Sequence, residues 1–232
     1  MKNKKNLGII GGLGPAASGY FYELITNLTK ADCDQQHIEI MLYSRPDIPD
    51  RSSFIMGDSD VSPLPAILEV VKTLNSLRAD YIAIPCVTAH YFIEKIRRYS
   101  ETPVISIVEE TVNYLRLNAI KSAGVLATDG TIHSRSFQTA LKQSGINPIL
   151  PNAQVQVEIM KVIKSVKAGQ VSDSDYVTFS RIAEGLREKG AETVLLACTE
   201  LPLLKPNSDF FTDCVKILAQ SVITLCGGTV RQ

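Results

Sequence analysis

Two of the five cysteines stand where a thiol could do chemistry. Cys86 closes the run Tyr81-Ile-Ala-Ile-Pro85 and is followed by Val87-Thr88; Cys198 closes Val194-Leu-Leu-Ala197 and is followed by Thr199. A thiol acts as a base only when ionised, and its ordinary pKa of about 8.5 falls when the N–H groups of a helix N-terminus face it. A turn from strand to helix supplies such groups, so both sulfurs are expected to be tuned downward toward working pH. Two thiols on opposite sides of one carbon could take a proton from one face and return one to the other, one being thiolate and the other thiol. That is the chemistry of racemisation. The weakly acidic α-hydrogen of an amino acid also requires donors at its carboxylate, where negative charge develops. Thr88, Thr199 and nearby backbone amides are of that type.

The remaining candidates have bland readings beside functional ones. Five cysteines without CxxC spacing fit neither a disulfide framework nor a zinc site, and Cys33, Cys214 and Cys226 read as buried thiols in a reducing compartment. His37 and His133 show no ligand spacing, so no metal is expected. Gly11-Gly-Leu-Gly-Pro15 lacks the third glycine of a dinucleotide fingerprint, and Pro15 suits the first position of a helix. The turn either brings backbone amides, Gly12 among them, to a substrate carboxylate or is purely structural. His90, four residues beyond Cys86, is either an activating base or a group that caps and packs. Asp129 and Glu200 could orient a partner or tune a thiol, or simply cap helices. Arg51 lies in a loop, Arg45-Pro-Asp-Ile-Pro-Asp-Arg-Ser52, that two prolines hold on a defined path, which suits either specificity or a surface ion pair. Lys167 ends a helical run, where a cation also favours the helix dipole.

Short continuous apolar runs alternate with helical ones. Strands are expected at Leu7–Ile10, Glu39–Tyr43, Tyr81–Ile84, Val104–Ser106, Ala123–Ala127 and Val194–Ala197. Helices are expected at Gly19–Thr29, Pro65–Leu77, Ile107–Leu117, Ser134–Ser144, Val155–Lys167, Asp175–Lys189 and Cys214–Leu225. Continuous rather than alternating strands suit parallel sheets covered on both faces, so the class is α/β. The chain also resembles itself: Ala79–Cys86 matches Ala191–Cys198, 112 positions on, and Gly8–Gly14 matches Gly124–Gly130, 116 positions on. Ile107–Leu115 likewise echoes Ile217–Leu225. Duplication predicts two pseudo-symmetric α/β halves, 1–106 completed by 209–232, and 107–208, with the carboxyl ends of equivalent strands facing across a cleft.

Balanced charge, 24 basic against 24 acidic residues, leaves no long-range field to draw nucleic acid or anionic membrane, so a small molecule is the expected partner. No apolar run reaches the roughly 18 to 20 residues of a membrane span. Met1–Asn6 is a basic stub rather than a leader, and a cytoplasmic location follows.

Gly11-Gly-Leu-Gly-Pro15, Pro49-Asp-Arg51, Pro85-Cys-Val-Thr-Ala-His90, Ala127-Thr-Asp-Gly-Thr131 and Ala197-Cys-Thr-Glu-Leu-Pro202, in this order, resemble the cofactor-independent aspartate/glutamate racemase superfamily, and within it the aspartate racemase branch, over essentially the whole chain. The resemblance implies two pseudo-symmetric domains with the site in the cleft between them, a homodimer, and no pyridoxal phosphate, nucleotide or metal. It implies Cys86 and Cys198 as the acid/base pair. Thr88 and Thr199 would hold the α-carboxylate, with Gly12 and Thr128 from two of the motifs beside them. Arg51 and Lys167 would receive the side-chain carboxylate, the guanidinium offering a fork of donors and the ammonium a point charge. The chain departs from the family pattern at Val87, where an asparagine usually follows the first cysteine, and so loses a donor. Two other readings therefore stand beside a racemase of aspartate or a close acidic amino acid: a decarboxylase or cis-trans isomerase using one thiol, and a binding protein without turnover.

Overall fold

The computed structural model describes residues 4–204, 206 and 209–231, so Met1 to Asn3 of the basic stub lie outside the described residues. Among the described residues eight strands form two four-stranded sheets, and every pairing within these sheets is parallel. The first contains β1 (Leu7–Gly11), β2 (Ile40–Ser44), β3 (Tyr81–Ala83) and β4 (Val104–Ile105), in the order β2-β1-β3-β4. The second contains β5 (Ser122–Leu126), β6 (Asn147–Ile149), β7 (Thr193–Leu196) and β8 (Phe211–Asp213), in the order β6-β5-β7-β8. The two orders are one topology repeated, as the internal similarity of the sequence requires.

The central strands β1, β5 and β7 are buried almost throughout. That explains their unbroken apolar runs, since a strand covered on both faces has no wet side to alternate toward. β6 and β8 were not expected. Both are three-residue edge strands, and Pro148 in β6 is tolerated because an edge strand leaves one side of its ladder unpaired.

Helices cover both sheets. α3 (Leu64–Ser76) and α4 (Ile93–Tyr99) bury Ile67, Val70, Val71, Leu74 and Ile96 against the outer face of the first sheet. α8 (Ala153–Ala168) and α9 (Asp173–Glu188) do the same for the second, through Ile159, Val162, Ile163, Phe179, Ile182 and Leu186. Between the sheets lie α1 (Pro15–Leu28), α5 (Ile107–Leu117), α7 (Ser136–Gln143) and α10 (Cys214–Leu225). Phe21, Leu115, Phe137 and Leu218 from these four helices enter one central core together with β1 and β5 residues. The second sheet draws β8 from beyond the expected boundary at 208, a residue itself outside the described set, whereas α10 packs on α1 and α5. Ser106, Asn152 and Asp213 cap α5, α8 and α10 with side-chain oxygens on early helix N–H groups. Among the described residues no helix is long and apolar enough to cross a membrane.

Candidate active site

The site begins where β1, β3, β5 and β7 end. Cys86 lies three residues past β3 and is 5% exposed. Its N–H donates to the Ile84 carbonyl at 2.8 Å, and its own carbonyl is 2.9 Å from His90 Nδ1. The Ile107 N–H, which can only donate, reaches His90 Nε2 at 3.1 Å, so Nε2 accepts and Nδ1 carries the proton that is donated to Cys86. Burial drives the imidazole pKa down to about 4, and the Cys86 carbonyl only partly offsets this. His90 is therefore neutral and fully engaged, and the expectation that it either activates or caps resolves to the second.

Cys198 lies two residues past β7 and is 4% exposed. Its Sγ donates to Glu200 Oε2 at 3.0 Å, and Thr199 Oγ1 donates to the same oxygen at 3.4 Å. Lys167 Nζ stands 3.9 Å from Glu200 Oε1. Burial first, and the Glu200 carboxylate second, push the Cys198 thiol well above its usual range, with Lys167 pulling the other way. The expected lowering by a helix N-terminus is thus reversed at Cys198. The residues after each cysteine, Thr88–Phe92 and Leu201–Leu204, form short 3-10 turns rather than α-helix starts, and at Cys198 the lowering by the Glu200 backbone N–H is outweighed by burial and by the Glu200 carboxylate.

Arg51 does not sit in a loop. It opens α2 (Arg51–Met56), capped by Asp50, whose carboxylate accepts the Ser53 N–H at 2.8 Å. The guanidinium is 8% exposed and donates to the carbonyls of Ile48, Pro49 and Leu13 at 3.3, 3.2 and 2.9 Å. Its Nε has no partner, and among the described residues no carboxylate forms an ion pair with it. Lys167 is the penultimate residue of α8. Burial opposes its charge, but Glu200, Cys198 and Cys86 outweigh that and raise its pKa, while the neighbouring Arg51 lowers it. One ammonium therefore feels both sulfur atoms, the arginine and Glu200.

The glycines explain how the halves approach. Gly12 adopts φ +86°, and a Cβ there would lie 2.4 Å from the Arg45 backbone, while its N–H is held by Ser18 Oγ at 2.9 Å. A Cβ on Gly14 would meet Glu200 Oε1 at 2.9 Å, and one on Gly130 would meet the Ser52 Cα at 2.8 Å and Thr88 Cγ2 at 3.0 Å. Gly14 and Gly130 are 116 positions apart, and Thr88 and Glu200 are 112 apart, the two offsets of the internal repeat. Each half's glycine turn thus meets the residue two beyond the other half's cysteine. Across this seam Thr88 Oγ1 pairs with Thr128 Oγ1 at 2.9 Å and with Thr131 Oγ1 at 3.0 Å, and Thr128 donates to Thr131 at 3.1 Å. Thr128 also caps α6 (Asp129–Ser134). Asp129 accepts from Gln156 Nε2 at 2.8 Å, which ties the turn to α8.

Two participants were not singled out from sequence. Thr131 was visible only as the end of a motif, and Asp50 only as the middle of Pro49-Asp-Arg51. Val87 is 2% exposed and belongs to the central core, so the position that loses a donor gains packing instead.

The profile of the Asp/Glu/hydantoin racemase family matches residues 10–222. The chain belongs to that family. Its members are racemases, and the enzyme class is isomerase. Among individual relatives, the aspartate racemase of Picrophilus torridus is 30% identical, with 98% of this chain and 96% of that one aligned at a TM-score of 0.88. The broad-specificity amino-acid racemase RacX of Bacillus subtilis (strain 168) is 28% identical over 199 residues, covering 84% of this chain and 85% of RacX. The glutamate racemase of Francisella tularensis subsp. tularensis SCHU S4, solved in complex with D-glutamate, shares the fold alone: 14% identity, TM-score 0.70, over 96% of this chain and 81% of that one.

Proposed function

We propose that this member of the family is a cofactor-independent racemase that interconverts the enantiomers of aspartate, or of a close acidic amino acid, with Cys86 and Cys198 as its two acid/base groups. The observation that carries the reading is the position of Lys167, within electrostatic reach of both sulfur atoms and of Arg51. It supports a reading in which a thiol from each half and two cations share one site. In the proposed step a thiolate takes the α-proton, forming an S–H bond as the Cα–H bond breaks, and the electron pair spreads into the α-carboxylate. The opposite thiol then gives its proton to the other face and is left as thiolate. The enzyme ends with its roles exchanged.

Arg51 supports an acidic side chain as the specificity element. A buried guanidinium with carbonyl acceptors and an unpartnered Nε forms no ion pair among the described residues, only a longer-range attraction to the Asp50 carboxylate, and a substrate carboxylate would supply a direct partner. Lys167 would share that carboxylate, displacing part of its attraction to Glu200. Thr88, Thr128 and Thr199 would turn hydroxyls to the α-carboxylate, and Gly12 would shape the turn beside them. A homodimer, a cytoplasmic location, free thiols throughout and a division into two halves after 106, with β8 kept by the second half and α10 returning to the first, complete the reading.

The test is racemisation followed by circular dichroism in deuterated water. Cys86→Ala and Cys198→Ala are each expected to abolish turnover, and the native enzyme should place solvent deuterium at the α-carbon. A single cysteine variant with full turnover in both directions would refute the two-base assignment. Arg51→Ala should weaken acidic substrates far more than neutral ones, and equal losses on both would remove it from specificity.

A further inference from the structure

His90 is a buried, neutral imidazole with both nitrogens committed, and the mechanism above gives it no proton to move. What it holds is informative. Its Nδ1–H is bonded to the carbonyl of Cys86 itself at 2.9 Å, and its Nε2 accepts the N–H of Ile107, the first residue of α5, at 3.1 Å. The other side of the Cys86 backbone is clamped as well, through its N–H to Ile84 at 2.8 Å, and the His90 N–H closes the turn on the Val87 carbonyl at 2.9 Å. α5 is in turn braced from α4, where Arg97 reaches the Val104 carbonyl at 3.1 Å and Glu109 Oε2 at 2.8 Å. The second cysteine has no such arrangement. At the position equivalent to His90 in the internal repeat, 112 residues on, stands Pro202, which has no side-chain donor or acceptor. Among the described residues the Cys198 carbonyl accepts only a backbone donor, the Leu201 N–H at 3.0 Å, and the side chain that holds this cysteine, Glu200, does so at the sulfur.

We propose that His90 is the positioning residue of Cys86: by fixing the cysteine's carbonyl against the start of α5, it sets the direction in which Sγ enters the cleft, a task that Glu200 performs at the sulfur itself in the other half. The proposal rests on Cys86 being one of the two acid/base groups. It adds that the two thiols are aimed by different means, a neighbouring side chain acting on the backbone carbonyl of Cys86 and on the sulfur of Cys198.

The two imidazole bonds can be separated. Asn at position 90 can place an amide donor where Nδ1 stands, keeping the bond to Cys86, whereas Gln can reach the position of Nε2 and keep the bond to Ile107. Racemisation kinetics are combined with iodoacetamide alkylation of Cys86 and Cys198 across pH, each thiol followed separately by peptide mass spectrometry. His90→Asn should leave kcat and the Cys86 alkylation profile within about threefold of native, because the aiming bond survives. His90→Gln should lower kcat by roughly 10- to 100-fold with KM nearly unchanged, since a small misplacement of a reacting group costs on that order. It should also shift the Cys86 profile and leave that of Cys198 in place. Native kcat and a native Cys86 profile in His90→Gln would overturn the proposal, as would equal losses in both variants that follow only the folded fraction, or profiles that move together at both thiols. If the native chain racemises no amino acid, the functional reading fails, yet the alkylation contrast still decides the role of His90. Imidazole nitrogen-15 spectra of the native chain give a check that needs no variant: a proton on Nδ1 is expected, and a proton on Nε2 would overturn the assignment.

Discussion

At the scale of single residues, the site is asymmetric in charge although its frame is repeated. Cys198 shares a buried hydrogen bond with Glu200, which favours the thiol, while Lys167 pulls toward thiolate. Glu200→Gln removes the repelling charge and keeps the size, so the Cys198 pKa should fall and its alkylation below that pKa should rise by about tenfold for each unit of the fall. Lys167→Ala should act in the opposite direction, and a Cys198 profile indifferent to both substitutions would remove this pair from its control. His90 makes a separate prediction about stability. Its native pKa of about 4 lies below the ordinary value of 6.5, so the unfolded chain binds the proton more readily. The contribution is fully present above about pH 6.5 and is lost as pH falls toward 4, amounting to about 3 kcal/mol. Denaturant unfolding between pH 7 and 4 should show this loss, and His90→Asn should flatten it.

At the scale of elements, the site depends on how closely two pairs of turns approach. Gly130 lets the start of α6 lie against α2, and the nearest atom to a methyl there would be backbone, the Ser52 Cα at 2.8 Å. Gly130→Ala therefore has to move α2, which carries Arg51, or α6, which carries the threonine pairing. A cost of roughly 1 to 3 kcal/mol is expected from such overpacking. KM for acidic substrates should rise more than kcat falls, because the arginine is displaced before the sulfurs are. At Gly14 the opposing atom is a carboxylate oxygen at the end of a side chain, so Gly14→Ala should disturb Glu200 and alter Cys198 alkylation with a smaller loss of stability. A Gly130→Ala chain with native stability and native KM would show that the close approach is not needed.

At the scale of the whole molecule, a shared core joins what the repeat divides. Phe21, Leu115, Phe137 and Leu218 from four helices meet between the two sheets, with β1 and β5 packed on either side. Glu110 on α5 also accepts a hydrogen bond from Ser221 on α10 at 2.7 Å. Neither half can keep its inner face dry alone. Calorimetry should accordingly show one cooperative transition rather than two. Leu218→Ala, at a position with no exposed surface, should lower stability by about 2 to 5 kcal/mol while preserving that single transition. Separate melting of two units would break this account.

Much of the architecture was open to reading in the chain itself. Buried parallel strands leave continuous apolar runs, a duplicated half leaves paired offsets, and thiols at strand ends leave Cys-Val-Thr and Cys-Thr-Glu, because each is written in neighbouring residues. Edge strands β6 (Asn-Pro-Ile) and β8 (Phe-Thr-Asp) carry no continuous apolar run, and the helix at Arg51 was hidden in a proline-rich segment that reads as loop. Only the tertiary structure decided the electrostatics. Whether a thiol is raised or lowered depends on burial and on Glu200 and Lys167, the latter 31 positions from Cys198 in sequence, and whether a histidine aims a cysteine or activates it depends on a helix that starts 17 positions later. Such contacts are made across space by side chains whose spacing along the chain carries no trace of the meeting.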